Sequence, residues 1–152
     1  SRPLLGHGMV FINTGLGLSE LWAVRPDGHG DVTKTHIAWK HAKGVAGKSS
    51  PVLVGDLLFM VSDSGIASCL DARTGKRMWQ ERIGGQYSAS LLAAAGRVYF
   101  FSHEGKAIVV AADRKFKKLA TSTLDDGFMA SPAVIGNTLF LRTNTHLYRI
   151  DE

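Results

Sequence analysis

What most restricts the fold of this chain is a self-similarity with a period near 40 residues. Its clearest copy is residues 49–85, SSPVLVGDLLFMVSDSGIASCLDARTGKRMWQERIGG. Four short apolar runs, 52–54, 57–61, 66–70 and 76–80, are separated by turns at Gly55-Asp56, Ser62-Asp63-Ser64-Gly65 and Asp71-Ala72-Arg73-Thr74-Gly75. Short apolar runs closed by Gly, Asp or Ser read as antiparallel strands, here a four-stranded meander. No run has the 3.6-residue period of a helix.

The register can be followed in both directions. The step of 15 from Ser50 to Gly65 recurs from Ser90 to Gly105, an offset of 40, with Ser62 over Ser102 and Leu57-Leu58-Phe59 over Arg97-Val98-Tyr99. Ser131-Pro132 opens the next copy 41 residues on, followed by Gly136-Asn137 and Leu139-Phe140-Leu141. Backwards, Arg2-Pro3 lies over Ser50-Pro51 and Val10-Phe11 over Leu58-Phe59 at an offset of 48, whereas Trp39 and Trp79 are 40 apart. The first unit therefore carries about eight surplus residues between Thr14 and Trp39. Four units follow, about 1–48, 49–88, 89–129 and 130–152, in a single domain over 1–152. The last stops after its third strand.

Such a repeat predicts an all-β chain: a β-propeller of about four four-stranded antiparallel blades, the last incomplete. A β-sandwich explains the short strands equally well, but not a 40-residue register with Trp at a fixed phase. Leu119 is expected at the phase of Trp39 and Trp79, and Arg114-Lys115-Phe116-Lys117-Lys118-Leu119 as the fourth strand of the third unit. Four cations around one aromatic are compatible with a nucleic-acid footprint. A solvated outermost strand whose lysines block edge pairing is the simpler reading.

The surplus of the first unit is placed in the turn Arg25-Pro26-Asp27-Gly28-His29-Gly30-Asp31. Loops that exceed their repeat often project from a binding face. Trp22, Arg25, Asp27, His29 and Asp31 are therefore the local candidates for binding, against a solvated edge loop. Arg142 is a further candidate: it stands where the second and third units have Val61 and Phe101, so it is expected to face the central channel or to pair with Asp151 or Glu152. The spacing of Asp27, His29 and Asp31 matches neither a calcium loop nor a zinc site, and no metal is expected. Gly44 and Gly47 are three apart, which excludes a phosphate-binding Walker loop. No Ser lies in a nucleophile elbow, no Cys/His cluster exists, and Asp125-Asp126 beside Gly127 reads as a turn. The lone Cys69 excludes an intramolecular disulfide and is expected to pack inertly in a strand. A net charge of +5 from 18 basic and 13 acidic residues is mild and dispersed, so nucleic acid is not the expected partner. No apolar run approaches a membrane span, and no signal-peptide pattern opens the sequence.

Gly55-Asp56-Leu57-Leu58-Phe59, then Asp63-Ser64-Gly65-Ile66, then Leu70-Asp71-Ala72-Arg73-Thr74-Gly75-Lys76 with Trp79, resemble the PQQ-like, quinoprotein-type β-propeller repeat. Ser-Pro-Val, Tyr99-Phe100, Glu104-Gly105-Lys106 and Ser131-Pro132-Ala133 continue the likeness over nearly the whole chain. Glu20-Leu21-Trp22-Ala23-Val24-Arg25-Pro26-Asp27-Gly28 and Leu141-Arg142-Thr143-Asn144-Thr145-His146-Leu147-Tyr148-Arg149-Ile150 are similar to the C-terminal half of BamB-like bacterial secreted repeat proteins. The structural positions Trp39, Trp79, Gly65, Gly105, Asp71 and Gly75 transfer from the family. Quinoprotein alcohol dehydrogenases of this shape use a vicinal Cys pair, a calcium site of Glu, Asn and Asp, and a catalytic Asp; one cysteine cannot supply the pair. The resemblance thus implies a cofactor-free, non-catalytic scaffold binding protein or polypeptide, in an extracytoplasmic compartment. The alternative is a fragment of a PQQ-dependent dehydrogenase or related sugar-processing enzyme.

Propellers of this family have seven or eight blades, as the resemblance implies, so four blades read as half of an eight-bladed ring. A row of four leaves two apolar faces bare, which invites association. A self-closed small ring, a longer natural chain, or two copies joined head to tail would each cover them; twice four being eight, the dimer is favoured.

Overall fold

The computed structural model describes residues 1–15 and 18–151, and the regular elements among these are all strands. They form four antiparallel sheets, each ordered as in the chain. The first blade holds β1 (Leu4–Gly6), β2 (Met9–Asn13), β3 (Leu21–Val24) and β4 (Ile37–His41). The second holds β5 (Val52–Val54), β6 (Leu57–Val61), β7 (Ile66–Asp71) and β8 (Arg77–Arg82). The third holds β9 (Leu92–Ala94), β10 (Arg97–Phe101), β11 (Lys106–Ala111) and β12 (Lys118–Thr123), and the fourth β13 (Ala133–Ile135), β14 (Thr138–Arg142) and β15 (Leu147–Asp151).

Successive side chains of a strand point to opposite faces of its sheet. Here both faces are used. Met9, Phe11, Leu21 and Ala23 leave the first blade toward the second and pack on Leu58, Met60, Leu70 and Ala72. Phe59, Val61, Cys69 and Trp79 leave the opposite face of the second blade and pack on Val98, Phe100, Ile108 and Val110 of the third. Phe101 then packs with Leu141, Leu139 and Tyr148 of the fourth. Each blade therefore has a forward face toward the next blade and a rear face toward the previous one. This is why β6 is buried at all five positions and shows no polar alternation.

A Trp on the outermost strand locks the first two junctions. Trp39 donates its indole N–H to the Ala72 carbonyl (3.1 Å) and Trp79 to the Asp113 carbonyl (3.0 Å), each in a turn of the following blade. Gly75 sits directly beneath the first indole: a Cβ there would lie 2.6 Å from Trp39. Asp71 shapes that turn by accepting from the amides of Arg73 and Thr74 and from the Thr74 hydroxyl. At the opposite end of the sheets, Gly65 and Gly105 adopt φ of +78° and +79°, and a Cβ on them would strike the carbonyls of Gly84 and Leu124 at 2.4 and 2.2 Å. Only glycine fits such a left-handed, backbone-on-backbone approach.

Along the inner strands, one serine per junction links neighbouring blades. The amides of Arg2, Ser50 and Ser90 donate to the hydroxyls of Ser50 (2.7 Å), Ser90 (3.1 Å) and Ser131 (3.0 Å). The 40- and 41-residue steps are thus hydrogen-bonded contacts.

Three expectations are corrected. First, Val109 pairs with Ala120, as Cys69 pairs with Trp79, so Ala120 holds the Trp phase. Leu119 is bypassed in a β-bulge, as Met78 is in the second blade, and is 43% exposed. Second, Arg114, Lys115, Phe116 and Lys117 belong to the turn before β12. Phe116 packs edge-on against Trp79, with ring centroids 5.1 Å apart. That turn is one residue longer than its counterpart, since Val110 reaches its partner Lys118 in eight positions and Leu70 reaches Arg77 in seven. Third, the surplus of the first blade is divided. Asn13 to its partner Leu21 takes eight positions where Val61 to Ala67 takes six, and Ala23 to Trp39 takes sixteen where Cys69 to Trp79 takes ten.

Removing a buried Trp leaves a large cavity, and Trp79→Ala is expected to destabilise the chain by about 3–5 kcal/mol. Leu119→Ala, at the exposed bulge, is expected to stay within about 0.5 kcal/mol of the parent. Urea unfolding followed by Trp fluorescence and circular dichroism separates the two.

Candidate functional site

The loop between β3 and β4 carries four of the six candidate residues but does not gather them. The Arg25 amide donates to the His36 carbonyl (2.8 Å) and its guanidinium to the Thr35 carbonyl (2.6 Å), so Arg25 closes the hairpin on itself. Asp27 lies 3.5 Å from the His36 ring, not beside His29. Asp31 accepts from the Thr33 amide (3.0 Å), and hydrogen bonds from Thr33 hold its carboxyl below the usual range. His29 is exposed. Among the described residues no three His, Cys, Asp or Glu side chains are grouped to hold a metal.

Trp22 belongs to β3 itself, on the rear face of the first blade, opposite Lys40. Its indole N–H donates to the Glu20 carboxylate (2.8 Å), and the Lys40 ammonium sits 3.8 Å from its ring centroid. Arg142 lies at the other end of the molecule, on the forward face of the fourth blade. Its guanidinium donates to the carbonyls of Thr143 (2.7 Å) and Asn144 (3.4 Å). Pairing of Arg142 with Asp151 is not what forms: the Asp151 carboxylate is taken by Arg149 at 3.1 Å. Glu152 lies outside the described residues. Trp22 and Arg142 therefore stand on the two end faces, against which no further blade packs among the described residues.

Sequence reasoning missed a repeated polar clasp between each linker and the turn it crosses. Asp63 accepts from the amides of Gly47 and Lys48, and Glu104 accepts from that of Gln86. At the third junction the polarity is reversed. Asp126, in the linker, accepts from the Thr145 hydroxyl (2.7 Å), the Thr145 amide (2.8 Å) and the Asn144 amide group (2.9 Å). The Thr145 hydroxyl, with Asn144, holds the Asp126 carboxyl well below the ordinary carboxylate range. The clue in the sequence was an acidic residue in each turn or linker, but its partner is 15–19 residues away.

Open space exists, but among the described residues it holds no reactive cluster. A groove of about 570 Å³ runs along the inner strands past Arg2, Ser50, Ser90 and Ser131. A second space of about 640 Å³, between the first and second blades, is bordered by Leu18, Glu20, Gly44 and Ile66. Burial pushes the Cys69 thiol up to about 12, and Cys69 is enclosed between the second and third blades.

Four consecutive antiparallel meanders stacked face to face, with Trp and Gly at fixed phases, define a β-propeller segment of the PQQ-like repeat class. The chain belongs to the family described as "Outer membrane protein assembly factor BamB", whose model matches residues 1–152. It is 30% identical over 105 residues to the outer membrane protein assembly factor BamB of Burkholderia pseudomallei (strain K96243), a match covering 68% of this chain and 27% of that protein. In structure it is similar to BamB from Moraxella catarrhalis (TM-score 0.73, 19% identity, 95% of this chain and 43% of that one). It is also similar to the computationally designed Ika4 protein (TM-score 0.70, 12% identity, 98% and 88%) and to a europium-containing methanol dehydrogenase (TM-score 0.64, 14% identity, 80% and 24%). The chain thus spans about a quarter of the curated relative and under half of the solved BamB.

Two outcomes are expected here. Asp126 has a depressed folded-state pKa, so its contribution to stability is present above the unfolded value of about 3.9 and is lost as the pH falls through the folded value. The stability gap between the parent and Asp126→Ala, from urea melts, should be constant from pH 7 to about 5 and shrink below about 4. Cys69, buried and with a raised pKa, should resist aromatic disulfide reagents at pH 8 until the chain is unfolded.

Proposed function

We propose that this chain is a non-catalytic β-propeller scaffold that binds protein, and that two copies close head to tail into an eight-bladed ring. One observation carries the reading: interior blade faces are buried, whereas the same faces on the first and fourth blades are bare and carry Leu5, Ile12, Ile135 and Leu147 as exposed apolar side chains. Bare apolar sheet faces mark interaction surfaces, and a head-to-tail pair of half-rings is a closed two-fold arrangement. The scattered titratable groups of the first-blade loop support binding over catalysis. Relatives named as outer membrane protein assembly factors agree with a protein partner and with an extracytoplasmic location. Binding at the rim loops makes Arg25, Asp27, His29 and Asp31 the first residues to test for partner contact.

The second reading, a portion of a quinoprotein dehydrogenase, draws on the likeness to a methanol dehydrogenase, which at 14% identity speaks for the fold alone. The lone Cys69 cannot form a vicinal pair.

Light scattering over a concentration series should give about twice the chain mass of 16.4 kDa. A monomer at every concentration would contradict ring closure by two copies. Titration with PQQ and calcium should produce no saturable absorbance change and no alcohol turnover; a saturable change with turnover would replace the scaffold reading by the enzymatic one.

A further inference from the structure

We infer that the outer rim of the second and third blades is a docking surface for an anionic lipid bilayer. Blade stacking gathers cations that the sequence spreads over residues 73–118. Arg73, Lys76 and Arg77 lie in the turn after β7 and at the start of β8. Arg114, Lys115, Lys117 and Lys118 occupy the equivalent turn and strand start of the third blade. The two turns are packed together. The Trp79 indole N–H reaches the Asp113 carbonyl, Phe116 lies against the same indole, and Arg114 pairs with Asp71 across the junction at 3.4 Å. All seven cations are exposed. With Asp56, Asp71 and Asp113 as the neighbouring carboxylates, the rim carries four of the chain's five net positive charges. At the opposite end of these blades and their linkers, Lys43, Lys48, Arg82 and Lys106 are matched in number by the carboxylates of Asp63, Glu81, Glu104 and Asp126.

This surface belongs to the interior blades and stands whether or not two copies close a ring. Lys118 pairs with Val110 as Arg77 pairs with Leu70, so the two strand starts share one register. Lys76 and Arg77 stay exposed with the third blade packed beside them, so a following blade does not cover this phase of the repeat.

The chemistry of the rim selects a lipid surface over other polyanions. Its arginine forks are largely committed: Arg73 pairs with Asp56 at 3.2 Å, Arg114 with Asp71, and Arg77 donates to the Gln80 side chain at 3.0 Å. The four lysines make no ion pair among the described residues. A defined carboxylate or phosphate partner is recognised by the planar fork of arginine, whereas an ammonium on a flexible stem is a point charge without fixed geometry. Such charges suit a field of mobile headgroups, and each adds attraction that fades within a Debye length. An extended acidic peptide would need a groove, but the inner-strand groove and the space between the first and second blades are lined by other residues. Single-stranded nucleic acid would need an exposed ring on which bases stack. The aromatic rings here, Trp79 and Phe116, are packed on each other.

Vesicle sedimentation of the full chain tests this. The parent should bind vesicles of phosphatidylglycerol and phosphatidylcholine mixed one to two, should not bind phosphatidylcholine alone, and should lose binding between about 0.05 and about 0.5 M salt. The triple variant Lys115→Gln, Lys117→Gln, Lys118→Gln should bind at least about tenfold more weakly. The triple variant Lys43→Gln, Lys48→Gln, Lys106→Gln removes the same charge at the opposite end and should stay within about twofold of the parent. Far-ultraviolet circular dichroism should be unchanged in both. Equal weakening by the two triples would overturn the inference, because net charge and not the rim would then carry the binding. A parent that ignores anionic vesicles would also overturn it, and retention of poly-glutamate or of a single-stranded oligonucleotide in that case would assign the rim to an acidic protein or to nucleic acid instead.

Discussion

The contact between the forward face of one blade and the rear face of the next governs this molecule. An isolated four-stranded sheet with two apolar faces cannot bury either, so each blade depends on its neighbours, as in other repeat architectures. The indole of the outermost strand secures the dependence by reaching a backbone carbonyl in the following blade, at Ala72 from Trp39 and at Asp113 from Trp79. The third junction has Ala120 at that position and relies on the Phe101–Phe128 contact, with ring centroids 5.2 Å apart, and on the reversed Asp126 clasp. Burial is most complete in the second blade and least in the fourth, where β13 is exposed throughout.

The sequence revealed the parts of this architecture whose requirements are local. Ser50, Ser90 and Ser131 recur because each hydroxyl accepts the preceding blade's amide. Gly65 and Gly105 recur because no Cβ fits beside the linker carbonyl. Trp39 and Trp79 recur because each fills the equivalent place in its own junction. The reading failed where a one-residue change in a turn was absorbed by a bulge: Leu119 lies 40 positions after Trp79, yet the longer turn before β12 shifts the phase to Ala120. The eight surplus residues were counted correctly and assigned to one loop, because a count fixes their number and not their division.

Among the candidate binding residues, the loop members looked like a cluster only because they are close in sequence. In space Arg25, Asp27 and Asp31 each serve the loop's own backbone or His36. Arg142 was legible as an anomaly, a charge at an apolar phase, but its surroundings depend on which face of which blade it occupies. Trp22 gained meaning from Glu20 and Lys40, one of them across a strand pair, which no linear pattern displays. The fold sets these two residues on opposite ends of the stack, Trp22 on the rear face of the first blade and Arg142 on the forward face of the fourth.

Native-state hydrogen exchange at two protein concentrations probes this dependence of each blade on its neighbours most directly. The account predicts that amides of β6 and β7, enclosed on both sides, are equally protected at low and high concentration. Those of β2 and β3 in the first blade and of β14 and β15 in the fourth should gain protection as concentration rises, because their outer faces become covered. Protection of the end blades that matches the second blade and does not change with concentration would contradict it.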